Sequence, residues 1–464
     1  LPVDVVVMAA GKGTRMKSQR PKVLHRLAGR ALAQHVIDCA ARLSARSVVV
    51  ITGHGAAQVE AGLVAPADTA LRFVRQEPQL GTGHAVQQAL PVLPDGGITL
   101  VLSGDVPLTR ADTLQRLIDL CGGRQLALLT LHLPDPTGSG RVLRAADGSV
   151  RAIVEHKDAS GAERAVTEVY SGIMAVPTAR LRAWLARLDN RNAQGEYYLT
   201  DVVKFAVADG ETVQAHRIDD AVQVAGVNSP QQLAELERAH QQRLAAELMQ
   251  QGVRLADPAR FDVRGTLTCG QDVEIDVNCV FEGRVSLGDG VRIGAHCVIA
   301  NARIEAGAVI HPFTHIDGEA AGVRVGAGAL VGPFARLRPG ADLGAEVHIG
   351  NFVEVKNSTL ARGAKANHLA YLGDATVGER VNYGAGSITA NYDGANKHRT
   401  VIGADVHVGS NCVLVAPVTL GAGGTVGAGS TITKDTAPGA LAVARGRQVA
   451  IPDWPRPQKK PKAP

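Results

Sequence analysis

Aliphatic residues recur at every sixth position through much of the second half of the chain: Val325, Val331, Leu337, Leu343, Ile349 and Val355. The series resumes as Ile402, Val408, Leu414, Leu420, Val426 and Ile432. A small residue follows most of them, as at Gly326, Gly332, Gly344, Gly350, Gly403, Gly409, Gly421 and Gly427. A period of six belongs neither to an α-helix nor to an ordinary strand. It is the repeat of a parallel β-helix, in which each hexad makes one short strand and one turn. The aliphatic side chain points into a narrow core, and the small residue permits the corner. Glycine usage agrees, since 31 of the 52 glycines lie in 251–464, fewer than half of the residues. The flat faces of such a prism can pack on copies of themselves, which points to a closed symmetric oligomer.

A stack of regular hexads is scaffold, so function is expected where the period breaks. It breaks at "KNSTLARGAKANHLAYLGD" (356–374) and "ITANYDGANKHRT" (388–400). These breaks, with the residues just before the second, carry Lys356, His368, Tyr371, Asn382, Asn391, Tyr392 and Lys397. His368 lies among cations and amides, a setting that suits a general base as well as an ordinary hydrogen-bonded histidine. Lys356 and Arg338 read either as a solvated edge or as a clamp on a phosphorylated ligand.

The first half is built differently. "RSVVVITG" (46–53), "ALRFVRQ" (70–76), "GITLVLSGD" (97–105) and "QLALLTLHL" (125–133) read as strands. "ALAQHVIDCAARLSA" (31–45) and "GHAVQQALPVL" (83–93) read as helices. This alternation predicts a mostly parallel sheet covered on both faces. The first strand, Val3 to Val7, feeds a loop with Gly11, Gly13, Lys12, Arg15, Lys17 and Lys22. Met16 stands where a dinucleotide fingerprint needs its third glycine, and Walker spacing is absent. Two readings stay open: converging N–H groups and cations that hold an anion, or a solvated strand–turn. Ser229-Pro230 then supplies a helix start, and "QQLAELERAHQQRLAAELMQQ" runs on to Gly252. At about 1.5 Å per residue that helix spans roughly 30 Å, as an arm between domains or as a packed surface helix.

Composition excludes several classes. A chain of 464 residues holds two or three domains. A formal charge of +5 is too mild for a dedicated nucleic-acid binder and suits small anions. Cysteines 39, 121, 269, 279, 297 and 412 contain no C-x-x-C pair, and read as reduced thiols of a cytoplasmic protein. Val5 to Ala10 is short for a signal h-region, and no run approaches a membrane span. The expectation is a soluble, cytoplasmic protein with no membrane or nucleic-acid partner. The basic tail "RPQKKPKAP" is expected to be unstructured.

Two sets of motifs carry a resemblance. "AAGKGTRM" with Pro21-Lys22, "QLGTGHA", "GDVPL", "GSGR", "IVEHKDA", "GEYYLTD" and "GVN" occur in the order found in the sugar-nucleotide pyrophosphorylases, which the first half resembles. "GPFARLRPGA", "GNFVEVK", "NHLAYLGD", "NYGAGSITANYDGANKHRT" and "LVAPVTLG" resemble the left-handed β-helix acyltransferases. Together they are similar to bacterial bifunctional uridylyltransferase–acetyltransferases of UDP-N-acetylglucosamine synthesis, which supply a precursor for peptidoglycan and lipopolysaccharide. The resemblance implies a Rossmann-like α/β uridylyltransferase domain over 1–228, a linker helix over 229–250 and a left-handed β-helix acetyltransferase domain over 251–464. It also implies a homotrimer, Mg²⁺ as cofactor, and UTP, glucosamine 1-phosphate and acetyl-CoA as substrates.

By the same resemblance, Met8, Ala9, Ala10 and Gly11 lie against the nucleotide, while Arg15 and Lys22 act as catalytic cations on its phosphates. Gln76, Gly81 and Thr82 read uracil, and Ser103 and Gly104 lead into Asp105, which holds Mg²⁺ with Asn228. Gly140 and Glu155 contact the sugar, and Tyr170 stands in the nucleotide and sugar site where an amide would supply one sugar or ribose hydrogen bond. In the second site His368 takes a proton from the amine of glucosamine 1-phosphate, and Glu354 is expected to orient its imidazole. Arg338 and Lys356 bind the sugar phosphate, and Tyr371 and Asn382 shape the sugar pocket. Ala385, Asn391, Tyr392, Ser410, Ala428 and Arg445 line the coenzyme site. Two positions depart from the family pattern: Ser103 stands where tyrosine is frequent, and Tyr170 where asparagine is usual. A nucleotidyltransferase whose β-helix serves only assembly is the main rival reading; a purely structural β-helix protein is another.

Overall fold

The computed structural model describes residues 1–460. The chain divides into two compact units, with the boundary between Leu244 and Ala245. That boundary falls inside the long helix Pro230–Gln250, whose start is capped by the Ser229 hydroxyl accepting from the Gln232 N–H at 3.2 Å.

In the first unit, strand Val3–Met8 lies inside the sheet, between Ser47–Thr52 and Ile98–Ser103, parallel to both. Leu71–Arg75 closes one side in parallel. On the other, Glu168–Pro177 runs antiparallel between Ile98–Ser103 and Leu126–His132, and Val213–Arg217 adds a parallel edge. Val5, Val6, Val7 and the whole of Ser47–Thr52 are buried, as strands covered on both faces must be. Because sequential neighbours lie on opposite sides of Val3–Met8, the loops after it and after Ile98–Ser103 part and leave a crevice at their carboxyl ends. A hairpin of Arg141–Arg144 and Val150–Val154 joins the sheet through Glu168–Pro177.

Two helices are shorter than their periodicity predicts. The first spans Leu32–Ala41, because Ser44 takes φ +53° to turn the chain toward the next strand. The second spans Thr82–Ala89 and passes into a 3₁₀ turn at Pro91, which has no N–H to continue the ladder.

The second unit is the predicted β-helix. Val325 pairs with Leu343, Val331 with Ile349 and Leu337 with Val355, so each strand lies on the one 18 residues later and three hexads complete a coil. All twelve aliphatics of the two series are buried. After Leu343, length changes fall at one corner on three successive coils. Val355 to Leu360 and Leu372 to Val377 are each one residue short of a hexad. On the next coil Ile388 pairs with Val413, 25 residues on, and the excess of seven forms the loop between Ala390 and Thr400. The last four residues of the basic tail lie outside the described residues.

Each inward aliphatic meets neighbours on the coils above and below. Leu337→Ala should therefore cost about 2–5 kcal/mol. The check is the thermal or denaturant transition of the β-helix unit against wild type.

Candidate functional site

The first unit gathers its predicted residues at the crevice. Met8 lies beside Ser103 in register, and the Gly104 N–H donates to the Met8 carbonyl at 2.9 Å. A Cβ on Gly104 would come within 3.3 Å of Ala9, so glycine eases the close approach of the two strand ends. Ala9 donates to the Ile51 carbonyl, and the Ala10 carbonyl accepts from His54. Beyond them Gly11 faces open space, and Arg15 is exposed on the 3₁₀ turn Thr14–Met16. Gly13 has φ +60°, and a Cβ there would meet the Lys22 Cβ at 2.6 Å. The second glycine of the loop thus makes room for Lys22. Met16, buried against Leu27, Leu108 and Val227, pins the loop from beneath.

Lys22 is half-buried at the crevice. Its ammonium donates to the Asn228 carbonyl oxygen at 2.9 Å and forms a short ion pair with Asp105. Residues from three distant parts of the sequence therefore meet at one point. Among the described residues no group of three or more His, Cys, Asp or Glu is placed to hold a metal ion. Asp105 and Asn228 offer one carboxylate and one amide oxygen, a donor set that fits Mg²⁺, which takes few protein oxygens and fills the rest with phosphate and water.

The side walls come from two further segments. The Gln76 side chain is buried and donates to the Gly81 carbonyl at 2.9 Å. Thr82 accepts from the Leu199 N–H, and Gly83 donates to the Tyr197 carbonyl. This ties "QLGTGHA" to "GEYYLTD". Thr200, which the sequence reading assigned no role, donates to Glu155 at 3.0 Å. Burial pushes the Glu155 carboxyl above its ordinary range; Thr200 opposes the shift, and Asp158, Asp201 and Glu196 add to it. Gly140 lies against Glu155: a Cβ there would come within 3.6 Å of its carboxylate. The Tyr170 ring is half-buried, but its hydroxyl is inaccessible and has no hydrogen-bond partner among the described residues. Burial and the nearby Glu155 push that phenol well above its ordinary value.

In the second unit the altered corner stacks Asn357, Asp374 and Asn391. The Asp374 carboxylate accepts from both amides at 2.6 Å. Burial works to raise the Asp374 pKa; the two amides, Lys356 and Lys397 overcome it and lower it. The neighbouring Lys397 ammonium, helped by burial and Arg338, holds Lys356 below its ordinary value. Three cations crowd one place, a geometry that suits a dianionic phosphate. Lys397 lies in the second break and belongs with Arg338 and Lys356. Its loop is braced by Asp393, which accepts from the Ala395 and Asn396 N–H groups and from His398, so that Tyr392 stands exposed. Tyr371 reaches toward the Asn391 amide at 3.5 Å, and a Cβ on Gly373 would overlap the tyrosine hydroxyl.

His368 is exposed, and its Nδ1 lies 3.1 Å from the Asn351 Oδ1. An amide oxygen only accepts, so Nδ1 carries the proton and the Nε2 lone pair is free. The expected Glu354 partner is not found: Glu354 pairs with Arg338 at 2.8 Å. The register explains it, since Asn351 is opposite His368 whereas Glu354 is opposite Tyr371 on another face. Asn351 was open to discovery from its 17-residue separation, one shortened coil before His368. Along the column of His368 lie Ala385, Ser410 and Ala428, joined through the backbone of successive coils, and the Arg445 guanidinium donates to the Ala428 carbonyl at 2.7 Å. Asn382, on the same strand face as Lys365 and His407, lies 3.2 Å from the His407 ring nitrogen.

A buried carboxyl with a raised pKa stabilises the fold fully only below its unfolded pKa, and the contribution is lost as pH rises through the folded value. Glu155→Gln should therefore melt higher than wild type at neutral pH, with the difference shrinking toward acid. Melting curves across pH check this.

Residues 5–195 match the MobA-like NTP transferase domain, and 267–301 and 399–434 match the bacterial transferase hexapeptide (six repeats). The chain is 79% identical over 467 residues to "Bifunctional protein GlmU" of Polaromonas naphthalenivorans, covering 99% of each chain. Proteins of the same name match from Paracidovorax citrulli, at 74% with 99% of each chain covered, and from Azoarcus sp., at 58% with 98% of this chain and 100% of that one. Likeness at this level, over nearly the whole length of the chain, makes it a member of the bifunctional GlmU family.

Proposed function

We propose that the two clusters are the two active sites of one enzyme of UDP-N-acetylglucosamine synthesis. It acetylates glucosamine 1-phosphate with acetyl-CoA, then transfers UMP from UTP to N-acetylglucosamine 1-phosphate and releases pyrophosphate. The observation that carries this reading is the coexistence of the Lys22–Asp105–Asn228 cluster and the His368 column in one chain. Residues 1–228 form the uridylyltransferase domain, 229–250 the linker helix and 251–464 the acetyltransferase domain. The protein is a homotrimer, in keeping with its hexapeptide repeats, and works in the cytoplasm. No helix among the described residues is long and apolar enough to cross a membrane.

In the acetyltransferase site Arg338, Lys356 and Lys397 hold the sugar phosphate, and Tyr371 and Asn382 face the sugar. The amine attacks the thioester carbonyl as His368 Nε2 removes its proton. The tetrahedral adduct collapses, and the coenzyme thiolate departs and is reprotonated. Asn351 fixes the required tautomer. Ala385, Asn391, Tyr392, Ser410, Ala428 and Arg445 line the coenzyme track. In the uridylyltransferase site a phosphate oxygen of the sugar phosphate attacks the α-phosphorus of UTP, and pyrophosphate leaves. Met8 to Gly11 and Gly104 hold the nucleotide, with Gln76, Gly81 and Thr82 against uracil. Arg15 and Lys22 balance the charge that builds on the phosphates. Asp105 and Asn228 would hold Mg²⁺, which supplies charge neutralisation when bound. Ser103, Gly140, Glu155 and Tyr170 border the sugar and ribose.

The two chemistries should separate by mutation. His368→Ala should lose roughly 10²–10⁴ in acetyl transfer. It should leave uridylyl transfer to supplied N-acetylglucosamine 1-phosphate near wild type. Asp105→Ala should do the converse. Thiol release from acetyl-CoA and pyrophosphate release from UTP, measured separately, read both. Wild-type acetylation by His368→Ala, or loss of both activities in a folded variant, would contradict the reading.

A further inference from the structure

Asn228 is held at both ends. Its side-chain oxygen accepts from Lys22 at 2.9 Å, and its backbone N–H donates to the Gln232 Oε1 at 2.8 Å. Gln232 is the third residue of the helix Pro230–Gln250, and its own N–H donates to the Ser229 hydroxyl at 3.2 Å. Ser229 and Gln232 have the spacing of a capping box, in which the third residue's side chain accepts from the N–H of the cap residue itself. Here it accepts from the residue before the cap. The bond is moved one position toward the crevice, onto the proposed metal ligand. Burial does not select Gln232, which is exposed. Helix capping does not require the shift either, since a bond to the Ser229 N–H would close an ordinary box.

The residues before Asn228 are fixed from beneath. The Val227 N–H donates to the Asp105 carbonyl at 2.9 Å, and its side chain is buried with Met16, Leu108 and Leu236. A Cβ on Gly226 would come within 3.9 Å of both the Asp105 carboxylate and the Asn228 amide, so the chain passes close to the two ligands. Sheet and core thus set residue 227, and Gln232 sets the N–H of residue 228. An amide ligand is aimed by its own backbone, and the groups that hold a ligand decide how well it meets a metal. We propose that Gln232 is a positioning residue of the uridylyltransferase site: it holds the Asn228 backbone so that the side-chain oxygen is presented to Mg²⁺ together with Asp105. The proposal rests on the reading of Asp105 and Asn228 as the metal ligands. It makes the first turn of the linker helix a working part of that site.

The test uses Mn²⁺ as probe, because it takes the same oxygen donors as Mg²⁺ and is read directly by electron spin resonance. Its binding to the full chain is titrated, with a non-hydrolysable UTP analogue present, for wild type, Gln232→Ala, Gln232→Glu and Ala234→Gly. The last weakens the same helix at an exposed position away from Asn228. Losing one hydrogen bond should weaken Mn²⁺ binding by Gln232→Ala roughly 3- to 10-fold. Gln232→Glu, whose carboxylate accepts the same N–H, should restore it, and Ala234→Gly should match wild type. The Mg²⁺ concentration for half-maximal pyrophosphate release should rise by the same factor in Gln232→Ala, with kcat at saturating Mg²⁺ near wild type. Wild-type Mn²⁺ affinity in Gln232→Ala would overturn the proposal. So would a loss that Gln232→Glu does not reverse, or an equal loss in Ala234→Gly, which would make Gln232 a helix stabiliser only. Wild-type affinity in Asp105→Ala would overturn the metal reading itself, and the role of Gln232 with it.

Discussion

Everything in the second unit depends on one constraint: each hexad must return an aliphatic side chain to a core one residue wide. The parallel ladder fixes where every strand lies, so a coil cannot absorb an extra or missing residue within a strand without turning its core side chain outward. Length changes are driven to a corner. Here two short corners and one long one stack on successive coils. At these corners the buried Ser358 and Thr389 hydroxyls satisfy backbone groups of Leu372, Gly373 and Ala375, and the Asp374 carboxylate accepts from the Asn357 and Asn391 amides. That buried negative charge then draws Lys356 and Lys397 to the same place. The cationic site follows from how the β-helix accommodates its own irregularity.

The first unit solves a different problem with a similar outcome. A sheet buried on both faces has no room for charge in its middle, so charged and polar chemistry moves to the strand ends. Lys22, Asp105 and Asn228 come from three loops and meet because Gly13 lets the lysine stem pass and Gly104 lets two strand ends approach. Glu155 and the Tyr170 hydroxyl show what this placement costs: a carboxyl raised by burial and a hydroxyl without a partner. Polar groups held at such a cost mark a site shaped for a ligand rather than for stability.

The β-helix was legible because six-residue periodicity is a global property that no local propensity obscures. The α/β half was legible from its buried strands; assigned helices ended early at Ser44 and Pro91, where a turn or a missing donor overrides amphipathic pattern, and the helix Ala111–Cys121 and the antiparallel strand Glu168–Pro177 were left unassigned. The site was only partly legible. Sequence proximity suggested Glu354 as the partner of His368, but in a β-helix neighbours in space are one coil apart, which selects Asn351. The grouping of Lys397 with Lys356 depends on a loop fold that no periodicity encodes. The orphaned Tyr170 hydroxyl was not foreseeable, although the departure at that position was.

The central claim is that the break in period, and not the prism, makes the acetyltransferase site. Deleting residues 392–398 would remove the seven-residue excess and return that coil to the regular repeat. The most direct measurement is thiol release from acetyl-CoA by this deletion variant, alongside its melting curve and its pyrophosphate release from UTP. The account predicts a cooperatively folded protein that transfers uridylyl groups at the wild-type rate and does not acetylate glucosamine 1-phosphate. Acetylation at the wild-type rate by the regularised prism would contradict it.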